Sequence, residues 1–379
     1  MVKNITDAGA WVIFDAMRGI VTDGNDPYLR PDSSNAESST TNFIDVTPTG
    51  FKISNLGGTQ TFIFIAIRRP DGYCGKPPEL GTGVFAMDTG NGQGNTTPPE
   101  ITSGFPVDFA FYKRPATSDE WITSARLIQG KYLQTQTNSA EVSNSAMSFD
   151  NNTGWDSDNL GSNYQSWMWK RHAGFDVVTY KGNGTAGYAI PHSLSKTPEM
   201  IWVKKRSALE KWMVGHKGLN GGVDPWGEFI SLNETNAEVD SVNFWNDTAP
   251  TATHFTLGLG NYGNTNNETF IAMLFASVDG ISKVGYYSGV QDAAVTVTTG
   301  FSPRFIIVKA RNYGSSIYDW FVFDTVRGFG SGDDKYLRLN DNTAQGTTDV
   351  GTVSSTGFTL NEGAGWNMNN REYIYYAHA

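Results

Sequence analysis

The stretches Trp11-Val12-Ile13-Phe14-Asp15-Ala16-Met17-Arg18-Gly19 and Trp320-Phe321-Val322-Phe323-Asp324-Thr325-Val326-Arg327-Gly328 repeat one pattern near opposite ends of a 379-residue chain. Two related blocks lie between them. A tryptophan opens a strand in every block, at Trp11, Trp121, Trp212 and Trp320. An aromatic-led strand start follows (Tyr28, Tyr132, Phe229, Tyr336), then an Ala-acid or Ala-amide pair at Ala36-Glu37, Ala140-Glu141, Ala237-Glu238 and Ala344-Gln345. Each block closes on a similar string: Thr61–Ala66, Asn163–Trp167, Glu268–Ala272 and Arg371–Tyr376. Repetition at a fixed period sets the architecture before local propensities do. It also argues against an enzyme, because an active site is usually unique while packing residues recur.

Within the blocks, short apolar runs are bounded by Gly, Asn, Asp or Pro. Met200–Lys204, Trp212–His216, Glu228–Leu232, His254–Leu257 and Glu268–Ala276 read as strands of the third block. Phe305–Lys309, Trp320–Asp324, Tyr336–Leu339, Gly357–Leu360 and Glu372–Tyr376 repeat that order in the fourth. No segment sustains a helical period. The expected fold is all-β, a tandem array of antiparallel β-sandwich repeats. Boundaries are expected at 1–80, 81–173, 174–280 and 281–379, with the repeats folding singly or pairing as 1–173 and 174–379. The first block starts inside its own first strand, at Met1-Val2-Lys3-Asn4, which leaves a strand edge open and favours homo-oligomer assembly. Asp88–Ser103 reads as a loose loop.

A formal charge of −10 and the lack of a basic run argue against a nucleic-acid partner. No apolar stretch approaches the length of a membrane span, and the N-terminus lacks a signal-peptide profile. Cys74 is the single cysteine, so neither an intrachain disulfide nor a thiolate metal site is available.

The string Gly174-Phe175-Asp176-Val177-Val178-Thr179-Tyr180-Lys181-Gly182-Asn183-Gly184-Thr185-Ala186-Gly187, with Ile190–Leu194 and Pro198–Lys205 after it, resembles a repeat module of bacteriophage virion proteins. Such modules occur in tail-fibre and adhesin-like chains of marine phages and cyanophages. The Trp-x-x-Phe-Asp-x-x-Arg-Gly strings fit the same pattern. The resemblance implies a concanavalin-A-like, jelly-roll β-sandwich on the surface of a virion made in the host cytoplasm. Its partners would be other virion proteins and a host-surface glycan or receptor. Capsid decoration or a head fibre is the second reading, and a polysaccharide-degrading tailspike the third. Unlike a typical tail fibre, the chain shows no particle-anchoring domain, collagen-like run or coiled coil.

The Asp15/Arg18 and Asp324/Arg327 pairs suit either an anionic or sugar ligand or a turn-closing ion pair; with Ser124 and Gly215 taken as the aligned acid positions of the other blocks, the structural role is favoured. Acidic loops at Asp23–Asp26, Asp150–Asn159 and Asp333–Asp334 lack calcium-loop spacing and read as turns. No strand carries the paired carboxylates of a glycosidase. His172, His192, His216, His254 and His378 fall at different places in the blocks, with no nucleophile or ligand spacing. No catalytic residue, metal or cofactor is expected. Trp226, Trp245 and Trp366 lack counterparts in the other blocks. They are the candidate ligand contacts, against the alternative that each tucks under its own loop.

Overall fold

The computed structural model describes residues 1–379 except 16–17, 48–49, 55–58, 68–79, 94–98, 158, 316 and 364. Cys74 and part of the Asp88–Ser103 loop lie outside the described residues. The chain is all-β: antiparallel sheets joined by turns, with each α-helix a single turn (Val242–Trp245 and Asn261–Asn264). Most expected strands of the third and fourth blocks lie within two residues of their expected bounds.

One six-stranded sheet order occurs three times. In the second block an opening edge strand, Phe85–Thr89, pairs with the closing strand Gln165–Trp169. The closing strand pairs in turn with Phe109–Lys113, and the sheet continues through Ile122–Ala125, Lys131–Gln134 and Val142–Ser143. In the third block the same order runs from Phe175–Lys181 through Thr269–Phe275, Met200–Lys205, Met213–His216 and Glu228–Ser231 to Val239–Asp240. In the fourth it runs from Ser282–Ser288 through Glu372–His378, Phe305–Ala310, Phe321–Asp324 and Asp334–Arg338 to Gly346–Thr348. Matching registers make Lys113, Lys204 and Lys309 equivalent, facing Gln165, Ile271 and Ile374 on their closing strands.

Both faces of each sheet are buried, which explains strands apolar on consecutive residues. One face packs on its own small sheet, giving three separate outer cores, as a sandwich requires. The other faces meet in one common core, where Phe111 and Trp169 join Trp202, Phe275, Phe305 and Tyr376. Phe85 and Phe305 stand 5.3 Å apart across it, and Phe275 and Tyr376 4.9 Å. The packing therefore groups the last three blocks together and leaves the first outside, rather than pairing the blocks as 1–173 and 174–379.

Identical contacts close the seams between the three sheets. Trp121 Nε1 donates to the Arg338 carbonyl at 2.7 Å, Trp212 Nε1 to Gln134 at 2.9 Å, and Trp320 Nε1 to Ser231 at 2.9 Å. These acceptors are the last residues of equivalent strands. Buried lysines repeat the connection four residues further on: Lys113 Nζ to the Asn342 carbonyl, Lys204 to Asn138, Lys309 to Thr235. The recurring Ala-acid pairs lie at the same seams. The Glu141, Glu238 and Gln345 amides donate to the Arg206, Arg311 and Pro115 carbonyls, and two of the seams add the ion pairs Arg206–Glu141 and Arg311–Glu238. Each contact is head-to-tail, and the rotation closes after three blocks, so blocks 2, 3 and 4 form a ring with approximate threefold symmetry.

Among its described residues the first block shows the same order from the closing strand onward: Phe62–Phe64, Val2–Asn4 and Trp11–Val12, continued by bridges Ile13 to Leu29 and Tyr28 to Ser38. It leans on the ring through Thr22, which bonds to the backbone of Thr179 and Lys181 at the edge of the third block's sheet.

Candidate functional site

Register places the Asp324 position opposite Phe305; the equivalents are Ala125 opposite Phe109 and His216 opposite Met200. The alignment that set Ser124 and Gly215 there is one residue out. In the fourth block Asp324 is fully buried. Its carboxylate accepts from Arg327 Nε at 2.6 Å, the Arg327 amide at 2.8 Å and Trp167 Nε1 at 3.1 Å. Arg327 also stands over the Trp167 ring. The pair thus ties the fourth block to the second and offers no face to a ligand. Removing one partner of a buried pair strands the other charge, so Arg327→Met is expected to cost about 3–5 kcal/mol in urea unfolding. Arg18→Met, at the half-exposed pair 3.0 Å from Asp15, is expected to cost about 1 kcal/mol or less.

In the acidic loops, carboxylates accept from backbone amides of nearby turns and strands. Asp26 accepts from the Val21, Phe43 and Ile44 amides, and its equivalent Asp334 from the Gly330, Val350 and Gly351 amides. Asp156 accepts from the Glu100 amide. Among the described residues no group of three or more His, Cys, Asp or Glu is placed to hold a metal.

The three candidate tryptophans are buried, and none presents a ring to solvent. Trp226 and Trp245 pack edge to face at 5.3 Å in the third block's outer core. Gly215 lies beneath them, where a Cβ would meet both rings at less than 3 Å. Trp366 packs edge to face on Phe321 at 5.1 Å, in the fourth block's outer core. A residue without a counterpart in the repeat is thus packed into the outer core of its own block. Two of the histidines, both fully buried, sit at contacts between blocks. His216 donates through Nε2 to the Tyr375 carbonyl across a seam, and His378 packs on Phe85 at 4.7 Å.

What the loops do present outward is an aromatic and amide surface on the fourth block. The lysine-to-tryptophan separation is eight residues in the first three blocks and eleven in the fourth. That longer loop carries Tyr313, 45% exposed. Arg371 stacks on the Tyr313 ring at 3.9 Å and is fixed by a 2.9 Å bond from Nε to the Tyr318 hydroxyl, which holds its guanidinium above the usual range. Exposed Asn312 and Asn370 adjoin it: Arg371 Nη1 donates to the Asn370 carbonyl at 3.1 Å and Asn312 Nδ2 to the same carbonyl at 3.5 Å, with Asn369 exposed beside them in sequence. The turn that sends Trp366 inward thus sends Asn369 and Asn370 outward. The signal available in the sequence was the length of the loop, since aromatic type alone does not distinguish Tyr313 from core residues.

The architecture defines a class first: an all-β protein whose last three sheets close into a ring. Residues 83–379 match the model of a family described as a domain of unknown function (DUF7483), and the chain belongs to that family. The matched span begins two residues before the ring's first strand and ends with the chain, so the family unit and the ring coincide. No curated protein matches the chain.

Proposed function

We propose that this chain is a non-enzymatic bacteriophage virion surface protein that attaches to a host-surface glycan or receptor through the Tyr313–Arg371 face. The observation that carries the reading is the braced, outward tyrosine among asparagine amides on a rigid ring. Sugars are held by an aromatic face beside hydrogen-bonding groups on a fixed scaffold. The sequence resemblance to phage surface modules supports the same reading. The lysines and the Asp324/Arg327 pair are engaged inside the fold, which suits a binding role more than catalysis. Immunogold labelling of intact virions tests the location: label on the tail or its fibres is expected, and label spread over the head makes the chain a decoration protein. Binding of purified protein to host cells or envelope glycan tests the face. Tyr313→Ala is expected to lower it at least tenfold with folding unchanged; undiminished binding removes the face from the proposal.

A further inference from the structure

The first block carries, uncovered, the surface that its three relatives bury in the ring. Pairing of Lys3 with both Trp11 and Ile63 makes Lys3 the equivalent of Lys113, Lys204 and Lys309. Ile63 then matches Ile374, and Ile65 matches Trp167, Met273 and Tyr376, all members of the common core. Yet Ile63 is 45% and Ile65 54% exposed, and Trp11 and Ile13 are only half-buried. A contiguous apolar sheet face of this kind marks an association surface.

Both halves of the seam are present on this one block. Lys3 Nζ bonds to the Gly9 carbonyl, as Lys113 and Lys309 bond to Asp119 and Tyr318, but among the described residues it has no second carbonyl of the kind the ring lysines find on the neighbouring block. On the accepting side, Arg30 matches Arg338 down to its contact with the preceding tyrosine: Tyr28 and Tyr336 receive their arginines at 3.5 Å. Glu37 occupies the position of Glu141 and Glu238. Donor and acceptor edges on one unit make a heterologous contact, which closes a ring only at the rotation the fold imposes, and in blocks 2 to 4 that rotation is closed by three.

We propose that three copies of this chain assemble through their first blocks, forming between chains the core that blocks 2, 3 and 4 form within one. In that assembly Trp11 Nε1 donates to the Arg30 carbonyl of the next copy, Lys3 Nζ to its Ser34 carbonyl, and Glu37 N–H to an Ile5 carbonyl. Ile63 and Ile65 of the three copies meet on the axis. The proposal does not depend on where the protein sits or what it binds.

Light scattering coupled to size-exclusion chromatography, on the full chain at tens of micromolar, tests it. The expected result is three times the chain mass, falling to a single chain in Ile65→Lys, with unchanged circular dichroism because the side chain is exposed within one chain. Val326→Lys, on an exposed site of the fourth block, is the control and keeps the trimer. A monomeric or dimeric wild type overturns the proposal, as does a trimer that survives Ile65→Lys. Should the Ile65 variant fail to fold, the mass of the wild type and the effect of Lys3→Ala on it decide the matter: an unchanged trimer in Lys3→Ala removes the seam contact.

Discussion

Acidification from pH 7 to about pH 4 is expected to unfold the ring, with three buried histidines setting the slope. Burial, above all, pushes His216 and His378 down to about 3 and His172 well below its ordinary value. Lys217 beside His216, Arg304 beside His378 and His378 beside His172 also oppose the charged form; Glu199 near His216 favours it but does not prevail. In the unfolded chain these groups titrate near 6.5, so between about 3 and 6.5 the unfolded state binds more protons, and stability falls as pH falls. Three such groups give about 4 kcal/mol per pH unit at full effect, against a total stability on the order of 5–15 kcal/mol. Glu141 and Glu199, held low by Arg206 and Lys217 against the cost of their burial, add loss of the same sign below about 4.5; Asp26 and Asp319, raised by burial, return part of it. On the alkaline side the sign is the same. Burial lowers Lys113 and Lys204 to about 8 and Lys309 to about 7, so the unfolded chain holds more protons up to about pH 10 and stability rises across that window. His378→Phe isolates one contribution. The equivalent positions hold Trp169 and Phe275, so the ring fits the site. Urea unfolding from pH 4 to 8 is expected to show the variant about 1–3 kcal/mol more stable at pH 5 and little changed at pH 8. Parallel curves for the two proteins would remove His378 from the account.

The strands were legible because both determinants are local: apolar runs of strand length and the Gly, Asn and Asp residues that end them. The recurring Ala-acid pairs were visible as a pattern, but their purpose was not, because Glu141 meets Arg206 only once separate blocks are brought together. The seam lysines illustrate the limit. Lys113, Lys204 and Lys309 look like ordinary strand-end charges, and nothing near them in sequence names the second carbonyl that each one reaches across a seam. Trp226, Trp245 and Trp366 show the opposite difficulty: a ring without a repeat counterpart looks free in sequence, while in space it is packed into the outer core of its own block. The mismatch of acids between blocks was readable in the sequence, yet the residue that replaces Asp324 was misplaced by one. Strand pairing corrects it to Ala125 and His216.

Trp320→Ala is expected to have the largest effect of any single truncation, because it opens the ring as well as a core. The indole is buried in the common core, and its Nε1 closes the seam to the third block through Ser231. Removing a buried indole costs about 3–5 kcal/mol, and the stranded carbonyl adds about 1–3 kcal/mol. Trp121→Ala and Trp212→Ala remove the equivalent contacts to Arg338 and Gln134, so the three variants should fall within about 1 kcal/mol of one another. A closed ring makes that equality a sharp expectation: opening any one seam exposes the same shared core, whereas in a chain of independent sandwiches each tryptophan would reflect only its own block. Trp11→Ala is the internal comparison. Its indole is half-buried and lies outside the common core, so the loss measured on monomeric protein is expected to be about 1–2 kcal/mol. Trp320→Phe keeps the ring filled while deleting the Ser231 bond, and should recover more than half of the loss. Denaturant unfolding followed by tryptophan fluorescence and by circular dichroism reads all five. Coincident single transitions with three matched ring variants establish blocks 2 to 4 as one cooperative unit; a separate transition for each block, with unequal losses, would show that the seams contribute little to stability.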